Sequence, residues 1–295
     1  MTNENTTLIT AEKFESTFTD SPDLPVMPEV GSQLIALKGK EDVEIADLVP
    51  LIEADPVISA KVVAYASSPF FSYQGKLDSI KEAVYHVLGL DMSMNIALSL
   101  AVGNQFQGPI KGPVGAFSVW SHSIYCAVLS QAIASKIKNQ QDLKVGTAYL
   151  YGLLHNVGYL ALGHMFSDEF TTFNKTVQSE TDAPLSELER NVLGATHTKA
   201  GSLLMSSWEM PEEYGVIMQN HHNSEYTGPH QVYTHISYIA NALLKSADIG
   251  DASDVVLPQH LLEEYNLKES DLQEKLKVVL QWQENIDHLA NQLAA

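Results

Sequence analysis

Apolar residues recur along most of this chain at spacings of three and four, which is the period of one face of an α-helix. Between Asp78 and Gly89 the apolar positions are Ile80, Ala83, Val84, Val87 and Leu88. Aspartate is a common N-cap and glycine a common helix terminator, so Asp78 is predicted to begin this helix and Gly89 to end it. Asp91 is predicted to cap the next helix, which runs towards Gly103.

A helix start is also predicted at Pro211, because proline suits the first turn of a helix and the carboxylates of Glu212 and Glu213 suit its positive end. The apolar face that follows reads Tyr214, Ile217, Met218 and His221. Signals for strands are scarce, and no Asn-Gly or Asp-Gly turn with alternating flanks occurs. The pattern therefore predicts an all-α fold built as a helical bundle.

One stretch rich in glycine and proline divides the chain. Gln107–Gly115 (QGPIKGPVG) holds three glycines and two prolines, which the interiors of helices and strands do not tolerate. We interpret it as the link between two helical lobes. The predicted organisation is a polar N-terminal segment at 1–20, an N-terminal helical lobe at 21–115, a second helical lobe at 116–250 and a C-terminal helical extension at 251–295.

Charge and composition narrow the classes of partner. The chain has 36 acidic and 17 basic residues, a formal net charge of -19, so its long-range field repels phosphate backbones and anionic lipids. We expect neither nucleic acid nor a membrane as partner, although a local basic pocket stays possible. The most apolar stretch, Ile96 to Val102, is far shorter than the roughly 20 residues that span a bilayer. A polar, acidic start and a single cysteine, Cys126, predict a cytoplasmic protein.

Histidine is the residue type of this chain that is best suited to bind a metal or to take part in catalysis. Five of the 11 histidines fall on or beside predicted apolar helix faces. They are His122, His155, His197, His221 and His222. A buried imidazole needs a partner for each ring nitrogen, so these rings are either hydrogen-bonded or bound to a metal.

Several segments in a consistent order resemble one known family. Tyr151–Leu160 (YGLLHNVGYL) resembles the central His-Asp motif of the HD superfamily of metal-dependent phosphohydrolases, and Val119–Ala127 (VWSHSIYCA) resembles the helix that supplies its first histidine. Four further segments are similar to the HD-related output domain, the HDOD family: Leu24–Leu37, Leu51–Tyr65, Asp78–Leu90 and Thr196–His222. The resemblance covers about residues 21 to 245. It implies a two-lobed helical bundle whose second lobe is HD-like, used in bacteria as an output or regulatory module in signalling.

The chain departs from the enzyme pattern at both carboxylates. The His-Asp pair of the superfamily is His155-Asn156 here, and its last metal-binding aspartate aligns with Asn241. The resemblance thus implies a relic active-site cavity formed by His122, His155, Asn156, His197, His221, His222 and Asn241. Asparagine brings no charge to offset a dication, so hydrolysis by the usual route is poorly supported. Neutral imidazoles still bind metals, and a weak divalent-metal site is predicted at His122, His155, His197 and His221.

Three functions remain open. The first is a non-catalytic signalling module that presents a surface to other proteins. The second is a residual metal-dependent phosphohydrolase that uses the histidines with some other carboxylate. The third is a sensor whose relic cavity binds a nucleotide or a similar small anion without turnover. We expect the first, with no resident cofactor, no enzymatic activity and signalling proteins as partners.

Overall fold

The computed structural model describes residues 9–68, 71, 73–109, 111–138, 140, 143–180, 183–250 and 256–294, with Asp20 described by its backbone alone. These residues form α-helices and contain no strand, so the predicted all-α fold is confirmed. The chain folds into two compact units. The large unit comprises the described residues of Met1–Pro25 and Phe106–Gln281, and the small unit comprises those of Val26–Gln105 and Trp282–Ala295.

The helices of the small unit are α2 (Glu29–Lys38), α3 (Ile45–Glu53), α4 (Pro56–Ala66), α5 (Ile80–Ala83), α6 (Gly89–Gly103) and α17 (Gln283–Ala294), with a π-helical turn, Val84–Leu88, between α5 and α6. Local sequence fixes their ends. The Asp55 carboxylate accepts hydrogen bonds from the backbone N–H groups of Val57 and Ile58, and Pro56 occupies the first helical position of α4.

Two predicted N-caps, Asp78 and Asp91, do not cap a helix in the structure. Ser79, not Asp78, caps α5, because its hydroxyl accepts the N–H of Glu82 while the Glu82 carboxylate turns back to the N–H of Asp78. Gly89 ends the π-helical turn at a φ of 71°, as glycine permits, and α6 begins at once. Asp91 therefore lies within the first turn of α6 and caps no helix of its own.

The segment Ile80–Gly103 is the one apolar stretch of the described chain that is long enough to cross a membrane, and Ile96–Val102 lies within it. It has 24 residues, and 67% of its most apolar window is buried inside the protein. The core helix of a soluble protein has the same character, so length and composition alone do not argue for a membrane span.

The helices of the large unit are α1 (Ala11–Asp20), α7 (Ala116–Ala134), α8 (Val145–Leu154), α9 (Val157–Met165), α10 (Ser167–Ser179), α11 (Leu185–Leu193), α12 (His197–Ser207), α13 (Glu212–Asn220), α14 (Gln231–Lys245), α15 (Gln259–Glu264) and α16 (Glu269–Leu280). Helix α7 packs against α8 and α14, and α12 packs against α9 and α13. The predicted helix start at Pro211 is confirmed, since α13 begins at Glu212 and buries Tyr214, Ile217 and Met218.

The compact units do not follow the predicted ranges. The division falls at Gln105, ten residues before the predicted boundary, and the described part of the Gln107–Gly115 connector is joined to the large unit, where the N–H of Val114 donates to Asn174 Oδ1. The predicted polar segment at 1–20 instead contains α1, whose Phe14 and Phe18 are buried beside Phe166. Residues of the predicted C-terminal extension are divided between the two units.

Two glycines allow the helices that carry the histidines to approach closely. A Cβ atom at Gly158 would lie 1.9 Å from the carbonyl oxygen of His197, and one at Gly152 would lie 2.7 Å from the Cα of Ala127. No side chain fits at either place, so glycine is what permits α9 to contact α12 and α8 to contact α7.

Candidate functional site: a buried histidine cluster

The five predicted histidines come from four places in the large unit. His122 lies in the middle of α7, and His155 is the C-cap of α8. His197 is the first residue of α12, after the N-cap Thr196, whose side chain accepts the N–H of Lys199. His221 is the C-cap of α13, and His222 follows it. Helix ends thus position four of the five rings.

These imidazoles lie together, and we call them the histidine cluster. The ring centroids of His122 and His155 are 5.2 Å apart, and those of His155 and His221 are 4.9 Å apart. His221 is 5.3 Å from His197 and 4.1 Å from His222. His155 and His221 are fully buried, and His122 and His197 are buried as well. The structure therefore brings together residues that are up to 100 positions apart in the sequence.

Three rings of the cluster are oriented through Nδ1. His155 Nδ1 lies 2.8 Å from the carbonyl oxygen of Gly152, and His221 Nδ1 lies 2.8 Å from that of Met218. His197 Nδ1 lies 2.8 Å from Glu189 Oε1. Because a carbonyl or carboxylate oxygen only accepts, each ring donates from Nδ1, and a neutral ring then carries its lone pair on Nε2.

The Nε2 atoms of His197 and His221 lie 3.3 Å apart. Two lone pairs at this distance repel each other, whereas a proton or a cation between them would bind both. The candidate ligand atoms of His197, His221 and His222 all lie within 4.8 Å of one another. The predicted metal set shares His197 and His221 with this group and names His122 and His155 in place of His222.

The donor set fits a divalent metal ion. Imidazoles that bind metals usually donate their other N–H to a carboxylate or a backbone carbonyl, which fixes the tautomer and the ring orientation. His197 and His221 have this arrangement, through Glu189 and Met218 respectively. The cluster supplies neutral nitrogen ligands, which suit zinc, nickel and copper better than magnesium.

A buried carboxylate that sequence reasoning missed supports the cluster. Glu189 on α11 is fully buried, and it is the only buried Asp or Glu in the part of the chain that the structure describes. Its Oε1 accepts hydrogen bonds from the Tyr159 hydroxyl and His197 Nδ1, and its Oε2 accepts the backbone N–H of His197 at 3.0 Å. The Tyr159 ring also stacks on His197, with centroids 4.0 Å apart. A signal for Glu189 exists, since it occupies the i+4 position of the apolar stripe Leu185, Leu188, Val192.

His122 and Asn156 form a separate part of the site. The Asn156 side-chain nitrogen lies 3.1 Å from His122 Nδ1. An amide –NH₂ group only donates, so His122 Nδ1 accepts, and a neutral His122 then carries its ring proton on Nε2. His122 therefore has the opposite tautomer to His155, His197 and His221.

A cavity of about 400 Å³ reaches this pair. Of the predicted cavity residues, only His122 and Asn156 line it; the other four histidines and Asn241 do not. Its walls are mostly apolar, as at Phe117 and Leu188, and its charged side chains are Lys245, Asp248 and Glu180. One lysine against two carboxylates is a poor match for the nucleotide or similar small anion of the third predicted function.

Asn241 lies on α14 with its side chain buried. Both polar atoms of its amide lack a hydrogen-bond partner among the described residues, as do the hydroxyls of Ser237 and Thr234, one and two turns earlier respectively. Helix α14 packs against α7 and α8, which carry His122 and His155. These three side chains form a buried polar stripe on the helix where the last aspartate of the HD pattern aligns.

His235, on the same helix, is a buried histidine outside the cluster. Its Nε2 lies 2.8 Å from the carbonyl oxygen of Tyr226, and its Nδ1 lies 2.7 Å from the Tyr265 hydroxyl. The carbonyl only accepts, so Nε2 donates and Nδ1 accepts from the phenol. Burial lowers the pKa of His235 below its ordinary value and raises the pKa of Tyr265, so both groups stay neutral near pH 7.

The solved structures most useful for comparison include a protein described as a candidate signal transduction protein from Marinobacter aquaeolei VT8. It is 30% identical, with a TM-score of 0.83, and the match covers 92% of this chain and 60% of that one. An HDOD domain protein of unknown function from Geobacter sulfurreducens is 22% identical, with a TM-score of 0.69 over 96% of this chain and 97% of that one. A candidate phosphohydrolase from Shewanella amazonensis SB2B is 20% identical, with a TM-score of 0.73 over 97% and 99% of the two chains. Because the last two proteins are only 22% and 20% identical to this chain, their similarity shows a shared fold and nothing about function.

Among curated proteins, an uncharacterised protein of Treponema pallidum (strain Nichols) is 23% identical over 248 residues, which are 83% of this chain and 47% of that protein. The chain thus spans about half the length of this curated relative. The HDOD domain model matches residues 24–224, about two thirds of the chain, and the resemblance inferred from the motifs is confirmed. The chain belongs to the HDOD domain family.

Proposed function

We propose that this chain is a non-catalytic regulatory module of signal transduction, which acts by binding signalling proteins. Membership of the HDOD family and the likeness to the candidate signal transduction protein of Marinobacter aquaeolei support a regulatory role. The observation that carries the proposed absence of turnover is that both carboxylate oxygens of Glu189 are already hydrogen-bonded.

Glu189 is the carboxylate that a residual hydrolase would need, since both aspartate positions of the HD pattern hold asparagine. Both of its oxygens already accept hydrogen bonds, from Tyr159 and from two N–H groups of His197. A carboxylate engaged in this way orients His197 and is poorly placed to bind a metal or to activate water. Glu189 is therefore a positioning residue in this proposal.

Access to the cluster argues in the same direction. The 400 Å³ cavity is lined by His122 and Asn156 and by no other member of the predicted site. Asn156 donates to His122 Nδ1, so the lone pair of that ring nitrogen is already occupied by a hydrogen bond. A phosphate ester in the cavity would meet the Asn156 amide, the His122 imidazole and one lysine, together with the carboxylates of Asp248 and Glu180. This lining stabilises little of the negative charge that hydrolysis develops.

A metal ion, if bound, would be held by His197, His221 and His222, and it would supply Lewis-acid polarisation or simple structural bracing. Glu189 and the carbonyl of Met218 orient two of these rings. Without a carboxylate ligand the charge of a dication is not offset, so we propose weak binding with a structural role.

The activity test uses purified protein and a panel of phosphomonoesters and cyclic dinucleotides with magnesium, manganese, iron or nickel supplied. The expected result is no turnover above background with any metal. His155→Ala is the matched control, because it removes one ring of the cluster. Turnover that persists in His155→Ala indicates a contaminating enzyme, whereas turnover that this change abolishes would contradict the proposal.

The missing negative charge can be tested separately with the double variant Asn156→Asp, Asn241→Asp. Two anionic ligands would strengthen binding of manganese, while the metal-free variant should be less stable because desolvation penalises two buried carboxylates. Manganese should therefore raise the melting temperature of the variant much more than that of the natural protein. Equal shifts would mean that the two asparagines do not occupy metal-ligand positions.

A further inference from the structure

A second cavity of the large unit has lysine side chains around it. It has a volume of about 470 Å³, and its polar lining includes Lys136, Lys138, Gln140, Asn266 and Lys268. None of its lining residues lines the cavity at His122, and none belongs to the histidine cluster. It is therefore independent of the site described above and of the function proposed for it.

The charge at this cavity is opposite to that of the molecule. The chain carries -19 overall, with only 17 basic residues, and three of these lie here. Two carboxylates, Glu264 and Asp271, also line the cavity, and Asp271 lies 3.9 Å from the ammonium of Lys136. Lys138 and Lys268 form no ion pair with any residue that the structure describes. Three lysines thus outnumber two carboxylates at this cavity.

Helix stability does not account for all three lysines. Lys136 follows the end of α7, where a cation is favourable because the carbonyl end of a helix is negative. Lys268 is the N-cap of α16, and its side chain makes no capping hydrogen bond. A cation is unfavourable there because the amide end of a helix is positive. An anion held beside it would remove this unfavourable interaction.

A neighbouring cavity extends the site. It has a volume of about 350 Å³ and shares Gln140 and Tyr265 with the first. Its other lining residues include Tyr233 and His230, so aromatic residues surround it where lysines surround the first cavity. Aromatic walls beside a cationic cavity suit a molecule with a planar ring and a phosphate group.

We infer that the cavity lined by Lys136, Lys138 and Lys268 binds a small phosphate-bearing molecule, with the phosphate oxygens at Lys138 and Lys268. The ammonium groups supply charge-assisted hydrogen bonds, and Asn266 and Gln140 supply neutral polar groups at the same cavity. The site is a binding site, and no chemical step is assigned to it.

Calorimetric titration of the full chain with inorganic pyrophosphate at low salt tests this inference, with EDTA present so that a metal at the histidine cluster does not contribute. The expected result is one site per chain, with affinity that falls as salt is added. Lys138→Ala, Lys268→Ala should weaken binding by about tenfold or more, because two charge-assisted contacts are lost.

The matched control is Lys175→Ala, Lys275→Ala, which removes the same charge from exposed positions of α10 and α16 outside the cavity. It should leave the affinity nearly unchanged, and melting temperatures should verify that both variants fold. Absence of binding to the natural protein, or equal weakening in both double variants, would overturn the inference.

A second titration with ATP identifies which part of the ligand is recognised. Tighter binding than pyrophosphate, lost on Lys138→Ala, Lys268→Ala, assigns the neighbouring aromatic cavity to the base. Equal affinity for the two probes, with the same loss, assigns recognition to the phosphates alone. ATP binding that the double variant does not affect would contradict the site.

Discussion

Two buried histidine environments of the large unit, the histidine cluster and His235, differ in how their ring nitrogens are satisfied. At His235, one nitrogen donates to a backbone carbonyl and the other accepts from the Tyr265 hydroxyl, so a neutral ring is complete. In the cluster, His197 and His221 are each anchored through Nδ1, and their Nε2 atoms face each other at 3.3 Å. The first environment needs nothing further, whereas the second is arranged to receive a proton or a cation.

The comparison shows that the degree of burial does not distinguish the two histidine environments. His235 and His197 are equally exposed, at 3% each. What separates them is the partner of the second nitrogen, which in one case is a fixed protein group and in the other is another imidazole. The two environments also depend on different helices. Tyr159 of α9 and Glu189 of α11 are hydrogen-bonded beside the cluster, whereas His235 lies on α14 and donates to the carbonyl oxygen of Tyr226.

The largest expected effect comes from Gly158→Ala, which should disrupt the cluster. The added Cβ would lie 1.9 Å from the His197 carbonyl oxygen, so α9 and α12 must separate, and Tyr159 would lose its stacking on His197. We expect a loss of about 3 kcal/mol or more in the free energy of unfolding, measured by urea denaturation.

Gly215→Ala is the control for Gly158→Ala, because it makes the same change in α13 where the nearest atom to the new Cβ is Ser202 Oγ at 3.5 Å. This is ordinary contact, so the change in stability should stay below about 1 kcal/mol in either direction. Similar losses at the two glycines would refute the close contact of α9 and α12.

Glu189→Gln should have the next largest effect. Three hydrogen-bond donors converge on the Glu189 carboxylate, and the –NH₂ of glutamine must face at least one of them. We expect a loss of about 2–4 kcal/mol, because a buried donor is left unsatisfied and the charge beside His197 is removed. Glu187→Gln, an exposed change on the same helix, should alter stability by less than about 0.5 kcal/mol. Nuclear magnetic resonance of the imidazole nitrogens should show altered His197 signals in the first variant and unchanged His235 signals.

Local sequence predicted the elements whose signals are local. The all-α fold and the helix after Pro211 follow from residues adjacent in the chain, and the structure has them. The predicted cap at Asp78 was wrong because the adjacent Ser79 has an equal claim, and the predicted cap at Asp91 was wrong because α6 already begins at Gly89. Propensity alone does not choose between adjacent capping residues.

The histidines of the site could be identified from the sequence, but the hydrogen bonds and tautomers that orient them could not. The family motifs identify the five histidines, but the role of Glu189 depends on the packing of α11 against groups 8 and 30 residues away. The tautomers of His122 and His155 depend in turn on which oxygen or amide lies beside Nδ1. Such contacts between distant residues are set by packing, and no periodicity in the sequence encodes them.

The smallest expected effect is a change in stability with pH, and it arises from His235 and not from the histidine cluster. Burial is the main cause that lowers the pKa of His235 below its ordinary value of 6.5, while the Tyr226 carbonyl and the carboxylates of Glu264 and Glu225 act in the opposite direction and His260 adds to the lowering. Below pH 6.5 the unfolded chain therefore binds a proton at this residue that the folded protein does not. The contribution of His235 to stability should be complete above pH 6.5 and should decline as the pH falls towards its folded pKa.

His235→Gln removes this titration, so the difference in unfolding free energy between the natural protein and the variant should shrink as the pH is lowered from 7 to 5. One proton gives a slope of at most about 1.4 kcal/mol per pH unit, and partial titration makes the observed slope smaller. His288→Gln, an exposed change on α17, serves as the control for the loss of an imidazole at a surface position. A difference for His235→Gln that is constant with pH would show that the ring titrates alike in the folded and unfolded chains. Its environment, including the hydrogen bonds to Tyr226 and Tyr265, would then not keep the His235 ring neutral. In that case His235 would not be the satisfied neutral histidine with which the histidine cluster is compared.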